Sequence, residues 1–176
     1  MAATGGVRMS VRAATPADLP AIDELFRSSF TATFGHLYDP ANLERFLAGF
    51  TLERWAVELA DPRFAFKIAE LDGATAGYAK VGPMALPLDH PDPGAIELYQ
   101  LYLDEAAKGK GLADQLLNWA CETARDLGGR MLYLSVFTDN HRARAFYRRH
   151  GFTEVGPYRF MVGDHVDDDI IMMRPL

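Results

Sequence analysis

Apolar side chains recur every three or four residues over the first third of the chain, which is the spacing of amphipathic helices. A short strand is predicted at residues 9–14, and Thr15 and Pro16 then supply a capping residue and a proline for the start of a helix. Two shorter helices are predicted to begin near residues 40 and 51. The apolar face of the first helix consists of Leu19, Ile22, Leu25, Phe26 and Phe30.

After residue 63 the pattern changes to short apolar runs separated by glycine and proline, which is typical of strands and loops. Residues 64–71 and 76–81 predict a hairpin closed by a tight turn, and residues 95–103 predict a strand after a proline-rich loop. The remaining predicted elements are a helix, a strand, a short helix and two closing strands, at residues 112–127, 131–136, 140–150, 152–162 and 170–173. This order predicts one α/β or α+β domain over residues 9–176, and we expect residues 1–8 to be disordered.

The composition and charge of the chain exclude some classes of function. The chain of 176 residues is 49% apolar and 24% charged, as expected for one globular domain. Its net charge of −6 disfavours a general nucleic-acid or anionic-membrane surface and weakly favours a cationic substrate. A single cysteine, Cys121, excludes an internal disulfide and a cysteine-based zinc cage. We therefore expect a cytoplasmic protein with neither nucleic-acid nor membrane partners.

A glycine-rich loop, Lys108-Gly109-Lys110-Gly111, separates a predicted strand from a predicted helix. Alternating glycines allow backbone amides to point toward one position, and the helix dipole points the same way, so we expect an anion such as phosphate to bind there. No Lys-Ser/Thr pair follows, which excludes a P-loop, and Asp114 occupies the third small position of the dinucleotide fingerprint. The alternative is an ordinary solvated turn.

Two motifs of different chemistry follow one another in the second half of the chain. The first is Lys108-x-x-Gly111-x-Ala113, and the second contains, in order, Asn140, Ala143, Phe146, Tyr147, Gly151 and Phe152. Together they resemble the GNAT superfamily of acetyl-CoA-dependent N-acetyltransferases, with lysine where the family has Arg or Gln. The resemblance covers residues 9–176. It implies a single-domain GNAT-type fold, with a mixed, mostly antiparallel sheet of about six or seven strands flanked by about four or five helices.

The resemblance implies acetyl-CoA as cosubstrate, no metal, and direct attack of a primary amine in a ternary complex. Residues at Phe34–Tyr38 and 160–172 resemble, more narrowly, a bacterial subgroup related to spermidine/spermine acetyltransferases, so the expected acceptor is a polyamine or a similar small cation. The residues expected to bind the cosubstrate are Leu101, Tyr102, Leu103, Lys108, Gly109, Lys110, Gly111, Leu112, Ala113, Asn140 and Arg149. The strand, the loop and Asn140 come from the resemblance, whereas Lys110 and Arg149 are included for their charge, with Arg148 as the alternative to Arg149.

Tyr147 is the predicted general acid, because a phenol is uncharged at neutral pH and can protonate the leaving thiolate. The alternative is that it only packs beside Phe146. Glu97 is the predicted base, on one strand face with Tyr99 and Leu101. The alternatives are an edge-strand carboxylate that faces solvent, and a water chain in its place.

The remaining candidates concern the acceptor. His36 and Tyr38 lie on an aromatic loop and are predicted to line the amine site. The acidic residues between 164 and 169 are interpreted as a turn between strands, and a metal site there is rejected because no ligand spacing matches. A protein N-terminus or lysine as acceptor, and a non-catalytic acyl-CoA sensor, remain alternatives. We expect a homodimer to be possible through the last strands.

Overall fold

The fold is a seven-stranded sheet with the strand order β1-β2-β3-β4-β5-β7-β6. A computed structural model describes residues 7–176, so residues 1–6 of the segment expected to be disordered lie outside the described part. The strands are β1 (Met9–Ala13), β2 (Ala65–Leu71), β3 (Ala74–Pro83), β4 (Ala95–Leu103), β5 (Met131–Phe137), β6 (Thr153–Val162) and β7 (His165–Pro175). The helices are α1 (Leu19–Phe34), α2 (Pro40–Ala48), α3 (Leu52–Ala60), α4 (Leu112–Asp126) and α5 (His141–Arg149). The predicted fold class is confirmed.

Side-chain caps explain where three of the helices begin. The Asp39 carboxylate accepts a hydrogen bond from the Ala41 amide (2.9 Å), and the Thr51 hydroxyl accepts one from the Arg54 amide (3.2 Å). Asn140 caps α5 in the same way. Such caps satisfy amides that have no partner within the helix, which is why these helices start where the sequence predicts.

The sheet has a hydrophobic core on each face. On the α4 face, leucines and alanines of α4 pack against β2 to β5, with Leu116 and Leu117 fully buried. On the α1 face, α1 and α3 pack an aromatic cluster around Trp55 and Tyr78 against the first strands. Burial on both faces holds the central strands β3, β4 and β5 rigidly in place.

The sheet opens between β4 and β5. All neighbouring strands are antiparallel except this parallel pair, which is joined over only three residue pairs, from Ala95↔Met131 to Glu97↔Tyr133. Beyond Glu97, β4 remains paired with β3 but separates from β5. Backbone groups on this edge of β4 therefore face the opening rather than a neighbouring strand.

A β-bulge in β4 changes the direction of the side chains around it. Lys80 pairs with Gln100 and Val81 with Leu98, so Tyr99 is the extra residue. Leu98 and Leu101 both pack in the core of the α4 face, whereas the Tyr99 ring lies 5.7 Å from the Phe64 ring on the α1 face. Since Glu97 precedes Leu98, it also points to the α1 face. The prediction that Glu97, Tyr99 and Leu101 share one face was wrong because the bulge breaks the alternation.

The last strand is longer than predicted. β7 spans 11 residues and pairs with both β5 and β6, and the turn before it consists of Gly163 and Asp164. The aspartates at 167–169 therefore belong to the strand and not to the expected turn. Asp167 and Asp169 are only 4% and 7% exposed, while Asp168 between them faces solvent. Alternation along a strand puts the outer two on one face.

In the described part of the chain, every helix is too short or too polar to cross a membrane.

Candidate active site

The opening between β4 and β5 is continuous with a cavity of about 180 Å³. Residues of α1, β4, β5, α5, β6 and β7 line it. Its aromatic walls include Phe30, Phe34, Phe137 and Phe160. Its polar side chains are Tyr38, Tyr99, Gln100, Tyr102, Ser135, Asn140, Tyr147, Asp167 and Asp169. An apolar cavity with a few converging polar groups is the usual form of a small-molecule site.

Helix α5 places Tyr147 at this cavity. The Tyr147 ring packs edge-on against Phe146 and Phe152, with centroids 5.3 and 5.5 Å away. Burial raises the pKa of the Tyr147 phenol above its usual value, so the group keeps its proton at neutral pH. Tyr147 therefore packs in an aromatic cluster and also lines the cavity, while its role as general acid stays a prediction.

Asn140 also lines the cavity, and its side-chain oxygen accepts a hydrogen bond from the Ala143 amide (3.1 Å). This bond fixes the first turn of α5, and therefore the position of Tyr147 two turns later. The side-chain amide nitrogen of Asn140 remains a donor that can point toward a bound molecule.

The glycine-rich loop has the backbone geometry that its sequence predicts. Gly109 and Gly111 adopt left-handed conformations, with φ of 75° and 81°, and Gly111 caps the N-terminus of α4. A Cβ added at either glycine would contact nothing within 4 Å, so backbone conformation and not space requires glycine here. The first amides of α4 have no partner within the helix, and the helix dipole adds positive potential at this end. These residues fit a phosphate group.

The lysines of the loop differ in their contacts. Lys108 Nζ lies 2.5 Å from the Glu105 carboxylate, which lowers the pKa of Glu105, and Lys110 is exposed. Arg149 is exposed at the end of α5, where its guanidinium lies 5.7 Å from the centre of the Phe146 ring. All three cations stand at the rim or outside the cavity.

The structure places the predicted base apart from the predicted acid. Glu97 is 7% exposed, and its Oε2 accepts a hydrogen bond from the Ala85 amide (2.8 Å). Burial raises its pKa, and this bond opposes the change. Glu97 lies behind the described residues that line the cavity, beside the loop between β3 and β4. Its role as a base stays a prediction.

The two residues predicted to line the amine site, His36 and Tyr38, lie in different environments. His36 is exposed in the short 3-10 turn after α1. Tyr38 is buried, lines the cavity and stacks on Phe30, with centroids 6.0 Å apart. The Tyr38 hydroxyl donates a hydrogen bond to Asp167 Oδ2, and burial raises the pKa of the phenol. Only Tyr38 is therefore placed to contact a molecule in the cavity.

Two residues that the sequence analysis had assigned to a turn, Asp167 and Asp169, form part of the cavity wall. Asp167 accepts from Tyr38 and lies 3.2 Å from His165 Nε2. Asp169 Oδ1 is buried, and nothing in residues 7–176 hydrogen-bonds to it. Burial, followed by the charge of Asp167, raises the pKa of Asp169 to about 7.

The signal for these two aspartates was the alternation His165-x-Asp167-x-Asp169-x-Ile171, which is compatible with a strand that has one buried face. Three consecutive aspartates are more typical of a turn than of a strand. The sequence analysis therefore assigned them to a turn and did not use the alternation. Among the described residues, Gln100 is the other wall residue whose buried side-chain oxygen has no hydrogen-bond partner. Its side-chain direction depends on the bulge in β4, which the sequence did not predict.

Comparison with known proteins identifies the family. The model of the acetyltransferase (GNAT) family matches residues 19–152. The chain belongs to this family. An uncharacterised N-acetyltransferase of Lactobacillus delbrueckii subsp. lactis is 30% identical over 160 residues, covering 90% of this chain and 92% of that protein. The GNAT assignment, including acyl-CoA-dependent acetyl transfer with acetyl-CoA as cosubstrate, is thereby confirmed.

Two further similarities concern narrower regions or the fold alone. An N-alpha-acetyltransferase named RimI, from Mycobacterium tuberculosis, is 35% identical over 99 residues, or 56% of this chain and 58% of that protein. The crystal structure of the PaiA N-acetyltransferase from Thermoplasma acidophilum in complex with coenzyme A superposes with a TM-score of 0.76 at 21% identity, covering 96% and 99% of the two chains. The latter shows that the GNAT fold is shared.

Proposed function

We propose that this GNAT acetyltransferase acts on a primary amine of a small cationic molecule, such as a polyamine. The observation that carries the proposal is the charge of the cavity wall. It contains the buried carboxylates of Asp167 and Asp169, and none of the described residues that line it is a lysine or arginine. A carboxylate taken out of water requires a positive partner or hydrogen bonds, and an ammonium group supplies both.

The aromatic walls support the same acceptor class. Phe30, Phe34, Phe137 and Phe160 surround the space in front of the two carboxylates. The faces of aromatic rings attract cations, and their apolar surface accommodates the methylene chain of an aliphatic amine. The cavity therefore combines the two features that a flexible, charged amine requires.

The family pattern and the geometry together suggest how the cosubstrate is held. Acetyl-CoA supplies the thioester whose acetyl group is transferred. The backbone of Leu101–Leu103 on the open edge of β4 is proposed to bind its pantetheine arm, and the amides of residues 109–113 its pyrophosphate. Asn140 is proposed to bind the arm from the opposite side, and Arg149 to approach a phosphate from the rim.

Tyr147 is proposed to donate the proton that the departing thiolate requires. Its phenol keeps that proton at neutral pH, and it stands at the same cavity as the acceptor groups. A neutral donor close to the thiolate avoids the release of a strongly basic anion into an apolar site.

The experiment is acceptor-dependent thiol release from acetyl-CoA with matched amines, namely 1,4-diaminobutane, 1-aminobutane and 4-aminobutanoate. We expect a kcat/KM for the diamine that is higher by about tenfold or more, since only the diamine carries a second ammonium group for the acidic wall to stabilise. Asp167→Asn should reduce this preference, whereas Asp164→Asn, on the exposed turn, should preserve it. Equal rates for all three amines, or no stimulation by any, would contradict the proposal.

A protein N-terminus is the second candidate acceptor, because the RimI of Mycobacterium tuberculosis, named an N-alpha-acetyltransferase, aligns with 99 residues of this chain. The same assay with short peptides tests it. Faster release with a peptide N-terminus than with the diamine would favour this candidate over the small cation.

We further propose that residues 9–176 belong to one acetyltransferase domain. We also propose that β6, the last strand at one edge of the sheet, mediates a homodimer. Met161 and Val155 on β6 are exposed apolar side chains. An unpaired edge with apolar side chains is a common pairing surface. Light scattering after size-exclusion chromatography should give twice the monomer mass, and Met161→Lys should return the monomer. A monomer at all concentrations would refute the dimer.

A further inference from the structure

Asp169 and Asp167 are placed differently in the cavity although both belong to one face of β7. The oxygens of Asp167 contact the Tyr38 hydroxyl and the His165 ring. Asp169 is 7% exposed and lines the cavity, and its Oδ1 is buried with no hydrogen-bond partner in the described chain. A buried acceptor without a partner is costly to keep, so its persistence indicates that a bound group supplies the missing donor.

We propose that Asp169 is a catalytic residue of this enzyme, the general base that removes a proton from the acceptor's ammonium group. The inference deepens the proposed function and rests on it, because it requires an amine in this cavity. Asp167, in contrast, is a positioning residue whose oxygens are already occupied by Tyr38 and His165. Neither the family pattern nor the sequence assigns a role to Asp169.

The surroundings of Asp169 suit a base that operates near neutral pH. Burial and the charge of Asp167 raise its pKa to about 7, with a smaller increase from Asp168, and the neighbouring Ser135 hydroxyl opposes them. A base is most effective when its pKa lies close to the working pH. The titratable and polar groups that act on Asp169 from the surrounding elements are Asp167, Ser135, Tyr38, Tyr102 and Tyr158, and Asp168 acts by its charge from the solvent side of the strand.

Glu97 is less well placed for this role. Its Oε2 is occupied by the Ala85 amide, and it lies behind the cavity lining. Asp169 and Tyr147 line the same cavity. This places a proton acceptor and a proton donor around one space.

The proton balance closes with these two residues. Asp169 takes one proton from the ammonium, and the neutral nitrogen attacks the thioester carbon. The new N–C bond forms, the C–S bond breaks, and Tyr147 protonates the sulfur. The amide nitrogen loses its second proton, which restores the Tyr147 phenol. The proton on Asp169 leaves to solvent, so one ammonium ion and one thioester give one amide, one thiol and one proton.

The test is the pH profile of amine-dependent thiol release by Asp169→Asn, with Asp168→Asn as the matched control on the solvent face of β7. In the wild type, we expect log kcat/KM to rise with pH and to bend near pH 7. The Asp169→Asn variant should lose this bend and about 100-fold or more in kcat, while its Kd for acetyl-CoA stays constant. Asp168→Asn should keep the wild-type kcat and the bend, moved only slightly to lower pH, because the charge of Asp168 makes the smallest contribution to the pKa of Asp169.

Ser135→Ala keeps the inference testable if the asparagine variant folds poorly. Removing a hydroxyl that stabilises the carboxylate should move the bend to higher pH, because the pKa of Asp169 rises. An Asp169→Asn variant with wild-type kcat and an unchanged bend, or one that only raises KM, would overturn the base role. A wild type that acetylates no amine would instead refute the proposed function, so the two failures are distinguishable.

Discussion

At the scale of single residues, environment divides similar side chains into different roles. Asp167, Asp168 and Asp169 are consecutive, yet the first accepts a hydrogen bond from Tyr38, the second faces solvent and the third has a buried oxygen without a partner in residues 7–176. The strand alternates their directions, and the packing on the α1 face determines what each one meets. Identical residue types therefore carry no shared function here.

Tyr147→Phe tests the proton donor directly. We expect kcat for thiol release to fall by about tenfold to a thousandfold, because the thiolate loses its acid while the aromatic packing with Phe146 and Phe152 is kept. The Kd for acetyl-CoA, measured by calorimetry, should stay within about twofold. Tyr133→Phe makes the same change in a buried residue outside the cavity lining and should retain activity. A parallel loss of binding and turnover would contradict the acid role.

At the scale of elements, the sequence predicted the helices and most strands well because local signals define them. Pro16, Asp39, Thr51 and Asn140 mark helix starts, and the glycine-rich loop marks the entry to α4. The bulge at Tyr99 depends on the register between β3 and β4, which no local pattern records. The length of β7 was missed for a related reason, since its polar half is stabilised by pairing with two neighbours.

Gly111→Asp tests the loop at the start of α4 as the phosphate site. The substitution introduces a negative charge and a strained backbone at φ 81°, so we expect the Kd for acetyl-CoA to rise by about tenfold or more. The matched control is Gly73→Asp, which makes the same change at φ 84° in the turn between β2 and β3. An unchanged Kd in Gly111→Asp, measured by calorimetry, would show that phosphate binds elsewhere.

At the scale of the whole molecule, the raised pKa of Asp169 links the stability of the fold to pH. The folded protein holds a proton on this group up to about pH 7, whereas the unfolded chain releases it near pH 4. The contribution of Asp169 to stability is therefore fully present below about pH 4 and is lost as the pH rises toward 7.

Denaturant unfolding of wild type and Asp169→Asn across pH 4 to 7 measures this link. The difference in unfolding free energy between the two proteins should change by about 1 to 3 kcal/mol over this range, with the wild type losing relative stability as pH increases. The Asp168→Asn variant should follow the wild type. A constant difference between Asp169→Asn and wild type at all pH values would show that Asp169 titrates normally in the folded state.

The three-pair contact between β4 and β5 has a consequence for how this enzyme can change. Most of the groups proposed to receive acetyl-CoA are main-chain atoms, on the open edge of β4 and in the loop before α4. Substitutions leave these atoms in place unless they introduce proline or replace a glycine that has a positive φ. The groups proposed to receive the amine are side chains on the facing walls, each replaceable alone. Accumulated substitutions should therefore change which amines this enzyme accepts before they change its use of acetyl-CoA as acyl donor.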